Sequence, residues 1–223
     1  MNKRKIIYVF MLSVLFAPLL ASALSINLLN RKINIPIPDG YCPLEDWKPD
    51  NELIETVKTT LQTGKQVIAI FANCNELGLF RKNRKNKIKN YAWIFYVSNN
   101  GVLAEYKKEN RESFIRKMSN IDFGPVMKEA KTKILKDNTD RNLDVKSSNN
   151  KFVNNNGVFI GIQGEMGDLT GELRSVRGVL CMTFVKSIPF SINFYRASGT
   201  QSDVEKLLDI QIQYAEKFVQ ENE

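Results

Sequence analysis

Histidine is absent from the entire chain. Without it the Ser-His-Asp and Cys-His nucleophile systems, the usual zinc sites and the commonest general base at neutral pH are all excluded. Cysteine is nearly as scarce: Cys42, Cys74 and Cys181 are the whole complement, and no two form the C-x-x-C pair of a dithiol oxidoreductase. Long apolar runs are lacking as well. The one apolar-rich stretch, Ile6 to Leu20, has fifteen residues and falls short of the roughly twenty that a membrane-spanning helix needs.

That single run is informative because of its flanks. Asn2-Lys3-Arg4-Lys5 precede it and Ala21-Ser22-Ala23 follow, the order of a secretory signal peptide covering residues 1–23. Ala21 and Ala23 satisfy the small-residue rule, so cleavage is predicted after Ala23, with no stable membrane anchor afterwards. No cysteine follows the cleavage point to carry a lipid, and the short cationic start with its compact apolar region looks bacterial, so the expected location is periplasmic or secreted. Removing the signal takes away three of the 32 Lys+Arg and none of the 24 Asp+Glu, which lowers the net charge from +8 to +5. That excess falls well short of a nucleic-acid-binding composition, and no nucleic-acid partner is expected. Residues 24–223 suit one domain, and 43% hydrophobic residues suffice for a core.

An oxidising route allows a disulfide. Cys42 and Cys74 sit at element ends, whereas Cys181 lies within the apolar run Val179 to Val185. Of three possible single pairings the reading is Cys42 with Cys74, leaving Cys181 a buried thiol; the alternative is no bridge.

Lys32 to Pro38 alternates apolar and other residues, and its prolines push it to a sheet edge. Asp50 is a plausible N-cap for a helix carrying Leu53, Val57 and Leu61 and ending at Gly64. Val67 to Ala72 reads as a buried central strand, and Tyr91 to Val97 with Val102 to Tyr106 as a hairpin turning at Asn99-Asn100-Gly101. Asn110 to Asp137 has the helical repeat, broken at Phe123-Gly124-Pro125. Residues 137–156 are nearly all polar and read as a mobile loop, which together with the basic run Arg81 to Lys89 is the part expected to be mobile or to meet a partner. The strand from Gly157, the hairpin of Val176 to Val185 with Pro189 to Tyr195, and a final amphipathic helix opened by a Ser202-to-Glu205 capping box complete the chain. The resulting fold class is α+β, a single-domain α/β/α sandwich with a mainly antiparallel sheet and a C-terminal amphipathic helix.

The segments Ile37-Pro38-Asp39-Gly40-Tyr41-Cys42 and Phe71-Ala72-Asn73-Cys74-Asn75-Glu76-Leu77, with the terminal hairpin and helix, resemble a family of uncharacterised secreted bacterial proteins. The element order is also similar to the Mog1/PsbP-like sandwich, which implies a fold that hosts small binding and assembly-accessory proteins. Neither resemblance brings site residues with it.

The basic run Arg81 to Lys89 has six cations in nine residues. With no aromatic interleaved it reads as a solvated loop rather than an anion or membrane-surface patch; Arg81, Lys82, Arg84 and Lys85 are the positions named for partner contact. The loop Gly164 to Glu172 lacks the lysine of a phosphate cradle, its Glu165, Asp168 and Glu172 would repel phosphate, and the calcium-loop register is missing. No catalytic residue, metal ligand or cofactor is assigned. The leading expectation is an exported, soluble, non-enzymatic binding or accessory protein of the bacterial envelope, whose partner is a protein or envelope component. The alternatives are a histidine-free hydrolase with paired carboxylates, which needs two acids at a set separation, and a secreted effector.

Overall fold

Two long apolar strands near the C-terminus organise everything else. The computed structural model describes residues 23–60, 65–99, 102–103, 105–125, 145–197 and 200–223. In chain order the strands are β1 (Leu24–Leu28), β2 (Arg31–Ile35), β3 (Tyr41–Pro43), β4 (Lys65–Asn73), β5 (Asn90–Asn99), β6 (Val102–Leu103), β7 (Val145–Asn154), β8 (Gly157–Gly167), β9 (Leu173–Val185) and β10 (Ile188–Ala197). The helices are α1 (Asp50–Thr60), α2 (Cys74–Lys82), α3 (Arg111–Ser119) and α4 (Gln201–Gln220).

An antiparallel sheet runs in the order β3, β4, β5, β10, β9, β8, β7, with β6 pairing only β5. At its centre, β10 sends Phe190, Ile192 and Phe194 to one face and Tyr195 and Ala197 to the other, all buried. On the first face lies α4, contributing Leu207, Tyr214, Ala215, Phe218 and Val219; each large apolar side chain so enclosed contributes ~1.5–3 kcal/mol. On the opposite face, α1 and α2 cover one end through Leu53, Val57, Leu77 and Phe80, while α3 covers part of the other through Phe114 and Ile115. Helices thus lie on both faces of the sheet, and the α+β class follows.

The β1–β2 hairpin stands apart from the main sheet and closes the α4 side. Tyr214 Oη donates to the Pro36 carbonyl at 2.7 Å. The Asn222 amide accepts from Asn34 N (2.8 Å) and donates to Asn34 O (2.7 Å), so a side chain completes the hydrogen bonding of β2.

Several expectations shift. The 67–72 strand is β4, second from the edge, yet it is buried because Phe71 packs toward α4 while Ile70 and Ala72 face α1 and α2. The expected 91–106 hairpin shrinks to two pairs, Ser98 with Leu103 and Asn99 with Val102, because β4 and β10 occupy the flanks of β5. The polar loop at 137–156 is in its second half the strand β7, whose ladder with β8 meets its backbone hydrogen bonds; an edge strand needs only one neighbour. Residues 137–144 and the predicted helix from Val126 onward lie outside the described residues, as do residues 1–22 of the expected signal segment and Gly64. β8 continues to Gly167, leaving only 168–172 as the turn. The cap of α4 is Thr200, whose N–H donates to Asp203 at 2.6 Å, in place of the predicted Ser202 and Glu205 pair.

Candidate functional site

Residues from five distant stretches meet beside α3. Asn110 caps the helix, its Oδ1 accepting from Ser113 N at 2.8 Å. Phe114 then stacks on Phe184 of β9 with ring centroids 5.1 Å apart, and Ile115 is buried with it, so the helix is pinned and Glu112 and Arg116 point to solvent. The β7–β8 turn approaches from one side, with Asn154 Oδ1 accepting from Asn156 N (2.8 Å) and Gly157 N (3.1 Å). The Lys186-Ser187 turn between β9 and β10 approaches from another, both residues at positive φ as a tight hairpin demands. It is held by Arg31 Nη1 on the Lys186 carbonyl (2.6 Å) and Lys186 Nζ on the Lys32 carbonyl (2.7 Å). Arg111 joins the walls, donating from Nε to Asn155 O (3.1 Å) and from Nη2 to Glu223 (2.5 Å). Between them is a groove of about 1010 Å³.

The polar groups of this groove divide into two kinds. The Asn110 and Asn154 oxygens are committed to local backbone, which fixes both amides; their Nδ2 donors have no partner among the described residues, and neither has the Asn155 amide. The Arg116 guanidinium and Glu112 carboxylate form no ion pair among the described residues. Tyr106, which does not line the groove, is tied to two groove residues through its backbone: its N–H donates to Ser187 O (3.1 Å) and its carbonyl accepts from Glu109 N (3.0 Å), while its ring lies 6.4 Å from that of Phe184 and the residue is 44% exposed. Asn154 and Asn155 fall within the 137–156 segment expected to be mobile or to meet a partner; the other residues of the groove carry no signal in the sequence. Turn asparagines are ordinary in isolation, and only the fold brings 106, 110–116, 153–155 and 184–187 together.

The acidic side chains withdrawn from solvent are already committed to partners. Asp50 is bound by Arg81, Asp168 by Arg174, Glu105 by Arg31 and Glu109 by Lys117. Glu76 accepts from Lys89 N, Asn90 N and Asn90 Nδ2. Hydrogen bonds from Lys87 and Arg174 hold Glu172 below the usual carboxylate range, and Thr200 does the same for Asp203, so both are anions at neutral pH and unsuited to general-acid work. Asp168 Oδ1 accepts from Thr170 N (2.8 Å) and Glu172 N (3.2 Å), which makes the 168–172 loop a self-satisfied turn. Among the described residues no group of three or more Cys, Asp or Glu is placed to hold a metal ion.

Cys42 and Cys74 are disulfide-bonded, joining β3 to the first residue of α2. Cys181 is a free thiol, fully buried, and burial pushes its pKa up, away from the thiolate a nucleophile requires. Ser148 and Lys151 stand at S-x-x-K spacing, but on a strand, and the Lys151 ammonium donates to the Ser119 and Ile121 carbonyls.

The basic run is less a free loop than its composition suggests. Arg81 binds buried Asp50, Arg84 Nη1 reaches both Glu52 oxygens at 2.7 Å, and Lys87 pairs with Glu172 at 2.5 Å. Of the four positions expected to meet a partner, Arg81 is held by buried Asp50 and Arg84 forms an exposed pair with Glu52, while Lys82 and Lys85 are exposed without an ion pair among the described residues. The basic run and the groove share no residues.

No protein-family model, curated protein or solved structure matches this chain. Among the described residues no helix is long and apolar enough to cross a membrane.

Proposed function

We propose that this chain is an exported, soluble, non-catalytic binding protein of a bacterial envelope, and that the groove beside α3 is where its partner, a protein or other envelope component, docks. The observation that carries the reading is the contrast between the two sets of polar groups. Acids removed from water are held by cations, whereas the groove gathers solvent-facing amide and guanidinium donors that have no side-chain partner among the described residues. A hydrolase inverts this arrangement, since it needs carboxyls free to exchange protons in its cleft. Of the three glutamates in the groove, Glu109 is paired with Lys117 and Glu223 with Arg111, which leaves Glu112 single and no free carboxyl pair among the described residues.

Two features support export. The Cys42–Cys74 disulfide suits an oxidising compartment, and β1 begins at Leu24, the residue after the predicted cleavage point, paired with Ile35. An effector reading differs only in destination, and recovery of the protein in culture medium in place of the periplasm distinguishes it.

The test compares retention of the exported protein and its Asn155→Ala/Arg116→Ala variant on envelope material, while mass spectrometry follows the unbound fraction. Retention that falls in the variant at unchanged melting temperature, with no new product, is the expected result. Equal retention rejects the groove, and steady product release rejects the non-catalytic assignment.

A further inference from the structure

We propose that the end of the sheet carrying the β9–β10 turn docks on an anionic phospholipid bilayer, through the lysines of three turns and the exposed side chains of Leu29 and Tyr106; this goes beyond the groove and does not depend on it. Backbone and side-chain bonds draw the three turns together. Arg31, which follows the β1–β2 turn, donates from Nη1 to the Lys186 carbonyl at 2.6 Å, and Lys186 Nζ donates to the Lys32 carbonyl at 2.7 Å. Tyr106 N–H donates to Ser187 O at 3.1 Å and the Tyr106 carbonyl accepts from Glu109 N at 3.0 Å, which sets Lys107 and Lys108 at the tip of the third turn.

Arg31, Lys32, Lys107, Lys108 and Lys186 stand there against one acid, Glu105, which pairs with Arg31 at 2.6 Å and with Lys107 at 3.6 Å. Neighbouring Glu109 is neutralised by Lys117. Five cations to one acid contrast with 32 to 24 over the whole chain, so this end carries a strong local excess of positive charge. All four lysines are exposed. Ammonium groups on long stems are mobile point charges with no fork aimed at a single phosphate, and they match a diffuse anionic surface better than a discrete anion. At such a lipid surface each Lys or Arg strengthens association by about fivefold.

Two apolar side chains among these charges favour a bilayer over a soluble polyanion. Leu29 has φ 50° and Asn30 φ 59°, the left-handed pair of a tight hairpin turn, where Asn, Asp and Gly are the favoured residues. A leucine serves that turn poorly, and at 42% exposure it adds little to the core; at the acyl boundary of a bilayer its side chain leaves water. Tyr106, 44% exposed, suits the headgroup level, where amphipathic rings collect. Lys186 and Ser187 also form one wall of the groove, so a seated tip brings the groove to the membrane surface.

The test sediments the protein from Leu24 onward with phosphatidylcholine vesicles, with and without phosphatidylglycerol as a third of the lipid. Binding to the anionic vesicles is expected, at least about tenfold tighter than to the neutral ones and weakened by salt. Lys107→Ser/Lys108→Ser should weaken it about twentyfold and Leu29→Asn about fivefold, both at unchanged melting temperature, since Asn suits the turn. Lys82→Ser/Lys85→Ser should bind as the parent does, because the basic run meets the other end of β10, where Ala197 N donates to Lys89 O, about 30 Å away. No binding, equal binding to both vesicles, full affinity in the Lys107→Ser/Lys108→Ser variant, or loss in the Lys82→Ser/Lys85→Ser variant overturns the docking surface. Full affinity in Leu29→Asn, or equally tight capture by soluble polyphosphate, makes the patch a polyanion site and overturns the bilayer.

Discussion

Arg81 grips Asp50 through two nitrogens, Nε on Oδ1 at 3.0 Å and Nη2 on Oδ2 at 2.5 Å, and the Asp50 side chain has no solvent exposure. The guanidinium also lies over the Trp47 ring, 5.1 Å from its centroid, while Asp50 Oδ2 accepts from Glu45 N. Arg81 therefore latches the end of α2 to the start of α1. The Cys42–Cys74 bond ties the other end of α2 to β3, so the segment between β3 and α1 is fastened at both ends.

Arg81→Ala is expected to lower stability by about 3 kcal/mol, since it leaves a buried carboxylate without its cation. Replacing Lys82 and Lys85 together with Ser is expected to change stability by less than about 0.5 kcal/mol, as surface substitutions do. Urea denaturation of the two variants checks the pair, and equal midpoints would contradict the latch.

Removing the disulfide is expected to cost about 3–4 kcal/mol, because the bond closes a loop of 32 residues in the unfolded chain. Comparing denaturation of the Cys42→Ala/Cys74→Ala variant with the intact protein measures it. In that variant Cys181 should react with a thiol reagent only as the protein unfolds, since it is buried in both.

Two glycines should respond oppositely to Ala. At Gly178 a Cβ would lie 2.7 Å from the Phe194 carbonyl oxygen and 2.8 Å from the Tyr195 ring, so strands β9 and β10 must separate and stability should fall by about 2 kcal/mol. At Gly78, within α2, nothing lies within 4 Å, and Gly78→Ala should raise stability by about 0.5–1 kcal/mol through helix propensity. Thermal unfolding of both variants reads the difference.

Alkaline pH should unfold the protein in a single step. Burial raises the pKa of Tyr41 to about 12 and lifts those of Tyr91, Tyr195 and Tyr214 as well. Unfolded tyrosines ionise near pH 10, so the folded state holds the greater number of protons above that pH, and stability, complete below pH 10, declines as pH rises toward 12. Tyrosinate absorbance from these groups should appear together with loss of the circular-dichroism signal. Early independent titration of all tyrosines would show that the cluster is not buried.

Local chemistry explains which parts of the fold were legible in the sequence. The β9–β10 hairpin and α4 carry strong periodicities over long stretches, and each keeps its pattern because both pack against the same core. β7 was hidden because an edge strand can be polar, and composition alone cannot separate it from a loop. β1 was hidden by its five-residue length next to the apolar stretch Ile6 to Leu20. The roles of Arg81 and Arg84 depend on acids 31 and 32 positions earlier, which spacing along the chain does not reveal. The groove has the same origin, since its asparagines look like turn residues until α3 is set beside them.

Hydrogen exchange on the protein from Leu24 onward, with and without a soluble digest of envelope material, tests the central claim most directly. The expected result is slowed exchange confined to residues 105–119, 153–157 and 184–188, around the groove, with the digest unchanged in mass. Protection located elsewhere, such as along α2 and the basic run, or chemical conversion of the digest, would contradict a non-catalytic protein that binds beside α3.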